Sequence, residues 1–187
     1  MRRATTVRAA AVAVGIALIG VGQAGIGQAA ARDRSNTFRG NCRVSGTAVF
    51  DPPLSNTAQA ATWRQQATGT CSGTFTGRNG RAHQLNGAPA SWQATEYTTN
   101  ASCTAGTDSG TGKIVFHYGT IGFTISETTG PGVAVFTLKG AGGGSAAGQV
   151  NISPSANPVA LAQECAGAGI AEAPVDIQAS TTPSISG

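Results

Sequence analysis

The sequence predicts an all-β fold, an antiparallel β-sandwich or barrel of about eight or nine strands stapled by two disulfides. Short runs rich in Thr, Val, Ile and Phe alternate polar with apolar residues, which is the pattern of strands with one buried face. Gly, Asn and Pro separate these runs, and the 27 glycines among 187 residues argue against a mostly helical chain. No amphipathic segment of helical period lies between the strands, which excludes a parallel α/β sheet.

The first segment of the chain has the three parts of a secretory signal peptide. Three arginines within the first eight residues precede the apolar run Ala9–Val21. A small-residue triplet ending at Ala31 then provides a cleavage site before Arg32. The apolar run has 13 residues, too few to span a bilayer comfortably, so an uncleaved anchor is disfavoured. We therefore expect a signal peptide over residues 1–31 and a single secreted β domain over residues 32–187, with an ordered core at about 38–182.

The net charge of the expected mature chain limits the classes of partner that it can bind. The full sequence has 12 basic and 8 acidic residues, and removal of the three signal arginines leaves nine basic residues (12 minus 3) against the same eight acidic ones. A net charge near +1 is too small for a nucleic-acid binder that works by bulk charge. We expect an extracellular monomer that does not bind nucleic acid and has no membrane contact after cleavage.

All four cysteines lie in the expected mature part of the chain, at Cys42, Cys71, Cys103 and Cys165. An even number of cysteines in an exported chain predicts two disulfides. A zinc site is disfavoured because the intervals of 29, 32 and 62 residues contain no C-x-x-C motif.

The strands follow from local alternation. The first half of the mature chain predicts three strands, at Arg43–Phe50, Thr62–Gly77 and Ala90–Tyr97. Trp63 and Trp92 share parity with the apolar positions and are predicted to face the core. Arg78-Asn79-Gly80 predicts a tight turn, and so does Leu85-Asn86-Gly87, because Asn-Gly pairs accept positive φ.

The second half of the chain continues as hairpins. The predicted strands are Lys113–His117, Thr120–Glu127, Val133–Lys139, Ser145–Ile152 and Val175–Ala179. Tyr118-Gly119 and the Gly142–Gly144 run supply the turns between neighbours. Val159–Cys165 predicts one or two helical turns, because Asn157 is a good cap and Pro158 a good first helical residue.

The register of the first two strands can be derived from the sequence. If a strand ending at Phe50 pairs antiparallel with one starting at Trp63, the residue numbers of each facing pair add to 113. Cys42 and Cys71 also satisfy this relation, so they face each other on adjacent strands at disulfide distance. The predicted pairs are therefore Cys42–Cys71 and Cys103–Cys165.

No catalytic constellation stands out. His83 and His117 are the only histidines, and a hydrolase would need one of them beside a carboxylate and a nucleophile. The carboxylates are scattered along the chain, and no spacing places two of them on one face; these are Glu96, Asp108, Glu127, Glu164, Glu172 and Asp176. We expect no catalytic residue, no metal site and no cofactor.

Several short motifs resemble those of other secreted proteins. They are Cys71-Ser72-Gly73-Thr74-Phe75-Thr76-Gly77, Gly110-Thr111-Gly112-Lys113-Ile114 and the ending Thr182-Pro183-Ser184-Ile185-Ser186-Gly187. With these motifs the chain resembles small secreted β-rich four-cysteine proteins of high-GC actinobacteria that carry no assigned function. The resemblance implies a compartment and a source class, and no active site.

The leading functional hypothesis is a secreted, non-catalytic β-sandwich protein that binds a small molecule, a cell-wall component or another protein. One alternative is a small secreted hydrolase that uses His83 or His117. The other is a protease-inhibitor-like protein that presents an exposed loop, such as Asp51–Ala61 or Ala101–Gly110.

Overall fold

The structure is a computed structural model that describes residues 34–152 and 158–187. Eight antiparallel strands form one closed barrel in which each strand pairs with the next along the chain and the last pairs with the first. The sequence left open a sandwich or a barrel, and the structure has the barrel. The elements are β1 (Thr37–Leu54), β2 (Gln59–Thr76), β3 (Ala82–Ala101), β4 (Gly106–Phe116), β5 (Gly119–Gly130), β6 (Val133–Gly140), β7 (Gly143–Ile152), α1 (Pro158–Ala166) and β8 (Ile170–Ser186).

The connections divide between the two ends of the barrel, because consecutive strands run in opposite directions. The β2–β3, β4–β5 and β6–β7 turns lie at one end, which we call the turn end. The β1–β2, β3–β4 and β5–β6 connections and helix α1 lie at the other, which we call the helix end.

The predicted register of the first two strands is confirmed. Facing residues from Thr37↔Thr76 to Asp51↔Thr62 all have numbers that add to 113, and Cys42 faces Cys71. These two cysteines form one disulfide, and Cys103 and Cys165 form the other, so both predicted pairs are confirmed. The second disulfide joins the β3–β4 connection to α1.

Apolar side chains fill the barrel in layers. At the turn end, the Phe116 ring packs between Phe38 and Phe75, with ring centroids 5.1 and 5.3 Å apart. In the middle, Trp92 packs against Phe123 at a centroid separation of 4.8 Å. Trp63 and Trp92 are both buried, as their parity predicted. The interior is therefore a packed core, as in other small barrels whose side chains fill the lumen.

Two sequence expectations about chain segments were wrong. Leu85-Asn86-Gly87 is not a turn but lies inside β3, where the register with β2 shifts and Gly87 has φ 66°. The Gly87 N–H donates to Ser72 Oγ at 3.0 Å, the arrangement of a β-bulge. The last strand continues to Ser186 with Ile185 buried, whereas the ordered core was expected to end at about residue 182.

The proposed inhibitor loops are also short. Ala101–Gly110 was interpreted as a loop, but β3 runs to Ala101 and β4 begins at Gly106, so four residues connect them. Four residues likewise connect β1 to β2 within Asp51–Ala61. The predicted helical turns at Val159–Cys165 are present as α1, whereas the cap residue Asn157 and the signal peptide with its cleavage site at Ala31–Arg32 lie outside the described residues. No helix in the described ranges is long and apolar enough to cross a membrane.

Candidate functional site

Three carboxylates meet inside the barrel, in its half nearer the helix end. Glu96, Asp108 and Glu127 lie on the adjacent strands β3, β4 and β5, and their side chains point inward. Asp108 faces Glu127 directly, while Glu96 faces Gly110, two residues further along β4 than Asp108. One oxygen from each carboxylate lies within 4.8 Å of the other two. The expectation that the acidic residues are scattered is therefore wrong for these three.

The polar atoms of this carboxylate cluster are buried without hydrogen-bond partners. Glu96 is 1 % exposed, Asp108 7 % and Glu127 5 %, and both oxygens of Glu96 and of Asp108 lack a partner. The Thr129 hydroxyl, beside Glu127, and the Trp63 indole N–H, beside Glu96, are also buried and unpartnered. Glu96 nevertheless lies close enough to Asp108 and Trp63, and Glu127 close enough to Thr129, for hydrogen bonding to affect their pKa values, although none of these contacts meets strict hydrogen-bond geometry. Buried unpartnered polar atoms are rare and costly, so their concentration in one place makes this cluster the candidate functional site.

Burial changes the acidity of all three carboxyls. Desolvation, reinforced by the charge of Glu127, raises the pKa of Glu96 from 4.5 to about 10. Desolvation and the charge of Asp108 raise the pKa of Glu127 from 4.5 to about 8. Desolvation also raises the pKa of Asp108 from 3.8 to about 6, and contact with the Glu96 carboxyl opposes that rise. Near neutral pH, Asp108 is then the charged member, with Glu96 and Glu127 protonated.

A small cavity adjoins the cluster and adds oxygen donors. It has a volume of about 10 Å³, close to the minimum for one water molecule, and Glu127, Thr129 and Gln65 contribute to its wall. Gln65 Oε1 accepts a hydrogen bond from Trp92 Nε1 at 3.1 Å, which fixes the amide oxygen beside the cavity. Every polar side chain of the cluster and of the adjoining cavity wall therefore has an oxygen atom, except Trp63, whose indole has only an N–H.

Two glycines on β4 make room for the cluster. Gly110 and Gly112 occupy the inward positions between Asp108 and Ile114. A Cβ on Gly110 would lie 2.0 Å from the Thr95 carbonyl oxygen and 2.7 Å from the Glu96 Cα, and one on Gly112 would lie 2.6 Å from the Phe123 ring. These two positions must lack a side chain so that β3 and β4 can approach closely and the rings of Trp92 and Phe123 can fill the barrel interior.

The two histidines lie elsewhere, at the turn end. The His83 ring stacks on Tyr118 with centroids 3.9 Å apart, and the His117 ring meets Tyr118 edge-on at 5.2 Å. All acidic residues in the described ranges belong to the other half of the barrel. The hydrolase alternative requires a carboxylate beside one of the histidines. Among the described residues, the structure places no acidic side chain beside His83 or His117.

Sequence reasoning missed the cluster although the signal was present. Glu96 continues the inward parity of Trp92 and Ala94, and Glu127 continues that of Phe123 and Ile125, but both were interpreted as scattered acids that share no face. Asp108 was missed because it lies in Ala101–Gly110, a segment rich in Gly and Thr that was interpreted as a loop. Extending each alternating pattern by two residues would have placed the two glutamates inside the barrel.

Comparisons with protein-family models, with curated proteins and with solved structures found no match to this chain.

Proposed function

We propose that this protein is an exported, non-catalytic β-barrel protein that binds one divalent cation of the calcium class at Glu96, Asp108 and Glu127. The observation that carries the proposal is the convergence of three buried carboxylates with the unpartnered Thr129 hydroxyl aimed at them. The described residues place no basic side chain in this cluster to balance its charge. Buried carboxylates are normally paired with a base or bound to a metal, and a cation would supply the missing partner.

Oxygen-only donors favour a hard cation. Calcium accepts six to eight oxygen ligands at about 2.3–2.6 Å, so two oxygens on one ion lie at most about 5 Å apart. The carboxylate oxygens meet this limit, since they lie within 4.8 Å of one another. The Thr129 hydroxyl, which lies beside Glu127, can raise the number of ligands. Magnesium is less suitable, because it keeps several waters and the adjoining cavity has room for about one.

Cation binding would displace protons from the carboxylate cluster. With Asp108 ionised and the two glutamates protonated, the cluster carries about one negative charge near neutral pH. A divalent ion is balanced when two of the three carboxyls are ionised. Binding should therefore release about one proton, which we expect from Glu127 because its pKa of about 8 is the lower of the two glutamates' values.

The closed surroundings support a binding role rather than catalysis. Glu96 is 1 % exposed, and an organic substrate does not fit a cavity of about 10 Å³. A single ion is comparable in size to the one water molecule that this cavity can hold. The same packed interior disfavours a carrier of hydrophobic small molecules.

The test is a calcium titration of the disulfide-bonded protein after chelator treatment. At a free calcium concentration of 100 times Kd, binding should stabilise the fold by about 2.7 kcal/mol. This corresponds to a rise in Tm of several degrees for a domain of this size. Isothermal titration in two buffers of different ionisation enthalpy should show the release of about one proton per ion.

The matched variants are Asp108→Asn and Glu172→Gln. Each removes one carboxylate charge, but Glu172 is exposed on β8, so its variant should keep the full calcium response. Asp108→Asn should lose at least nine tenths of the affinity. The proposal is wrong if neither calcium nor manganese shifts Tm at pH 7.5, or if the shift is equally large in Asp108→Asn.

A further inference from the structure

The charged residues of the barrel are segregated by sign. Every acidic residue in the described ranges lies in the helix-end half, and of the eight basic residues there only Arg64 shares that half. Five lie at or next to the turn end: Arg34, Arg39, Arg78, Arg81 and Lys139. The other two lie near the middle of the barrel: Arg43 faces Gln178 at the centre of β8, and Lys113 lines the same surface depression as Arg64. All seven are exposed. A chain with nearly balanced charge therefore presents one strongly cationic end.

This cationic end also carries fixed aromatic rings. Tyr118 is 45 % exposed, and the half-buried His83 ring lies almost parallel to it, at an interplanar angle of 17°. Beneath them, the buried Phe75 ring lies 6.4 Å from Tyr118 and supports the pair. The His83–Tyr118 pair is thus an exposed aromatic surface whose position is set by the core.

A polar groove of about 430 Å³ opens at the same end. Arg34 lines it together with hydroxyl-bearing and glycine residues: Ser35, Thr37, Thr76, Ser186, Gly77, Gly80 and Gly142. Asn36 holds the segments around it together, because its Nδ2 donates to the Thr120 carbonyl at 2.9 Å and its Oδ1 accepts from the Arg78 N–H at 3.1 Å. The groove therefore combines one guanidinium group, several hydroxyls and backbone that the glycines leave accessible. None of its lining residues carries a side-chain carboxylate.

We propose that the cationic end binds an acidic polysaccharide. Guanidinium groups recognise carboxylates and phosphates through charge-assisted hydrogen bonds. The hydroxyl-lined groove matches the hydroxyls of a sugar ring, and the His83–Tyr118 pair offers an aromatic face for its apolar side. The surface does not suit a membrane, because Tyr118 is the only large exposed apolar residue of the described ranges at this end.

The choice of a polysaccharide over a nucleic acid rests on charge density. Double-stranded DNA places one phosphate about every 1.7 Å along its axis and is bound through clusters of contacts. In the groove, only one of the eight lining residues is basic, Arg34, and the others carry hydroxyls or are glycines. This low density of positive charge favours a polymer that carries about one charge per sugar residue.

The test uses polygalacturonate as the acidic probe and its fully methyl-esterified form as the uncharged control. Binding of the disulfide-bonded protein is measured in EDTA, so that the carboxylate cluster and its cation do not contribute. The wild type should bind polygalacturonate and not the ester, and raising the salt from 50 to 200 mM should weaken binding several-fold. This experiment can fail while the calcium proposal stands, and the reverse is also true.

Three variants test whether the cationic end is the surface that binds the polysaccharide. The double variant Arg78→Gln, Arg81→Gln should bind about tenfold more weakly, and Tyr118→Ala should also lose affinity. Arg64→Gln removes one positive charge from the other half and should stay within twofold of the wild type. Equal binding of the methyl ester, an equal loss in Arg64→Gln, or retention only by DNA or by anionic vesicles would each overturn the proposal.

Discussion

Replacing Glu96 by Gln should make the protein more stable at alkaline pH. In the folded state the pKa of Glu96 is about 10, against 4.5 for an unperturbed carboxyl. At pH 8 the folded protein keeps this proton and the unfolded chain has lost it, so stability falls as pH rises from about 4.5 towards 10. Each pH unit costs about 1.4 kcal/mol per proton retained, and 3.5 units give an upper limit of about 5 kcal/mol. Gln occupies the same volume, is neutral at every pH and escapes this cost.

The measurement is urea unfolding in EDTA at pH 4.5 and pH 8, followed by the fluorescence of the buried Trp63 and Trp92. Any cost of placing an amide in the cluster is common to both pH values and cancels in their difference. We expect the gain of Glu96→Gln over the wild type to be at least about 2 kcal/mol larger at pH 8 than at pH 4.5. Glu172→Gln, on the exposed side of β8, should show no such difference. Parallel pH profiles for the wild type and Glu96→Gln would refute the assignment of a buried, protonated carboxyl.

Three further outcomes follow from the fold and the sequence. In the chain-entropy model, closing loops of 29 and 62 residues stabilises the fold by about 3.6 and 4.3 kcal/mol, so Cys165→Ser should lower the free energy of unfolding at least as much as Cys71→Ser. Gly110→Ala should destabilise by at least about 2 kcal/mol in urea unfolding, because its Cβ would overlap β3, whereas Gly122→Ala, with nothing within 4 Å, should be nearly neutral. Intact-mass analysis of the secreted protein should place its first residue at or next to Arg32, and full-length protein in the membrane would contradict the signal-peptide prediction.

The sequence was sufficient for the fold wherever local alternation and turn chemistry agreed. The register of β1 and β2 followed from two strand ends and a pair of cysteines, and it held along the whole ladder. Prediction from the sequence failed where a glycine with positive φ can serve either a turn or a β-bulge. Asn86-Gly87 has the composition of a turn, but the β2 strand already pairs on both sides of it, so the positive φ of Gly87 is used for a bulge.

The carboxylate cluster could not be predicted by the rule that charged residues face water. That rule describes an average, whereas the inward parity of Glu96 and Glu127 is fixed by the apolar residues before them in β3 and β5. Asp108 joins them only because β4 pairs with both strands, and the weak strand propensity of its Gly and Thr residues hid that pairing. Proximity of three side chains on three strands depends on the full register, which single-strand patterns do not contain.

The ladder between β1 and β8 has a consequence for how the chain folds. Thr37 and Ser186 lie side by side and share a hydroxyl–hydroxyl hydrogen bond of 3.0 Å although 149 positions separate them along the chain. Contacts of such large sequence separation slow folding, because the entropy of loop closure is lost before the contact forms. In a chain that emerges amino terminus first, β1 must wait with an unpaired edge until the last strand has appeared. During that interval the exposed edges of β1 and β7 are open to pairing with other chains, so the rate at which β8 arrives sets how long the nascent protein is vulnerable to aggregation.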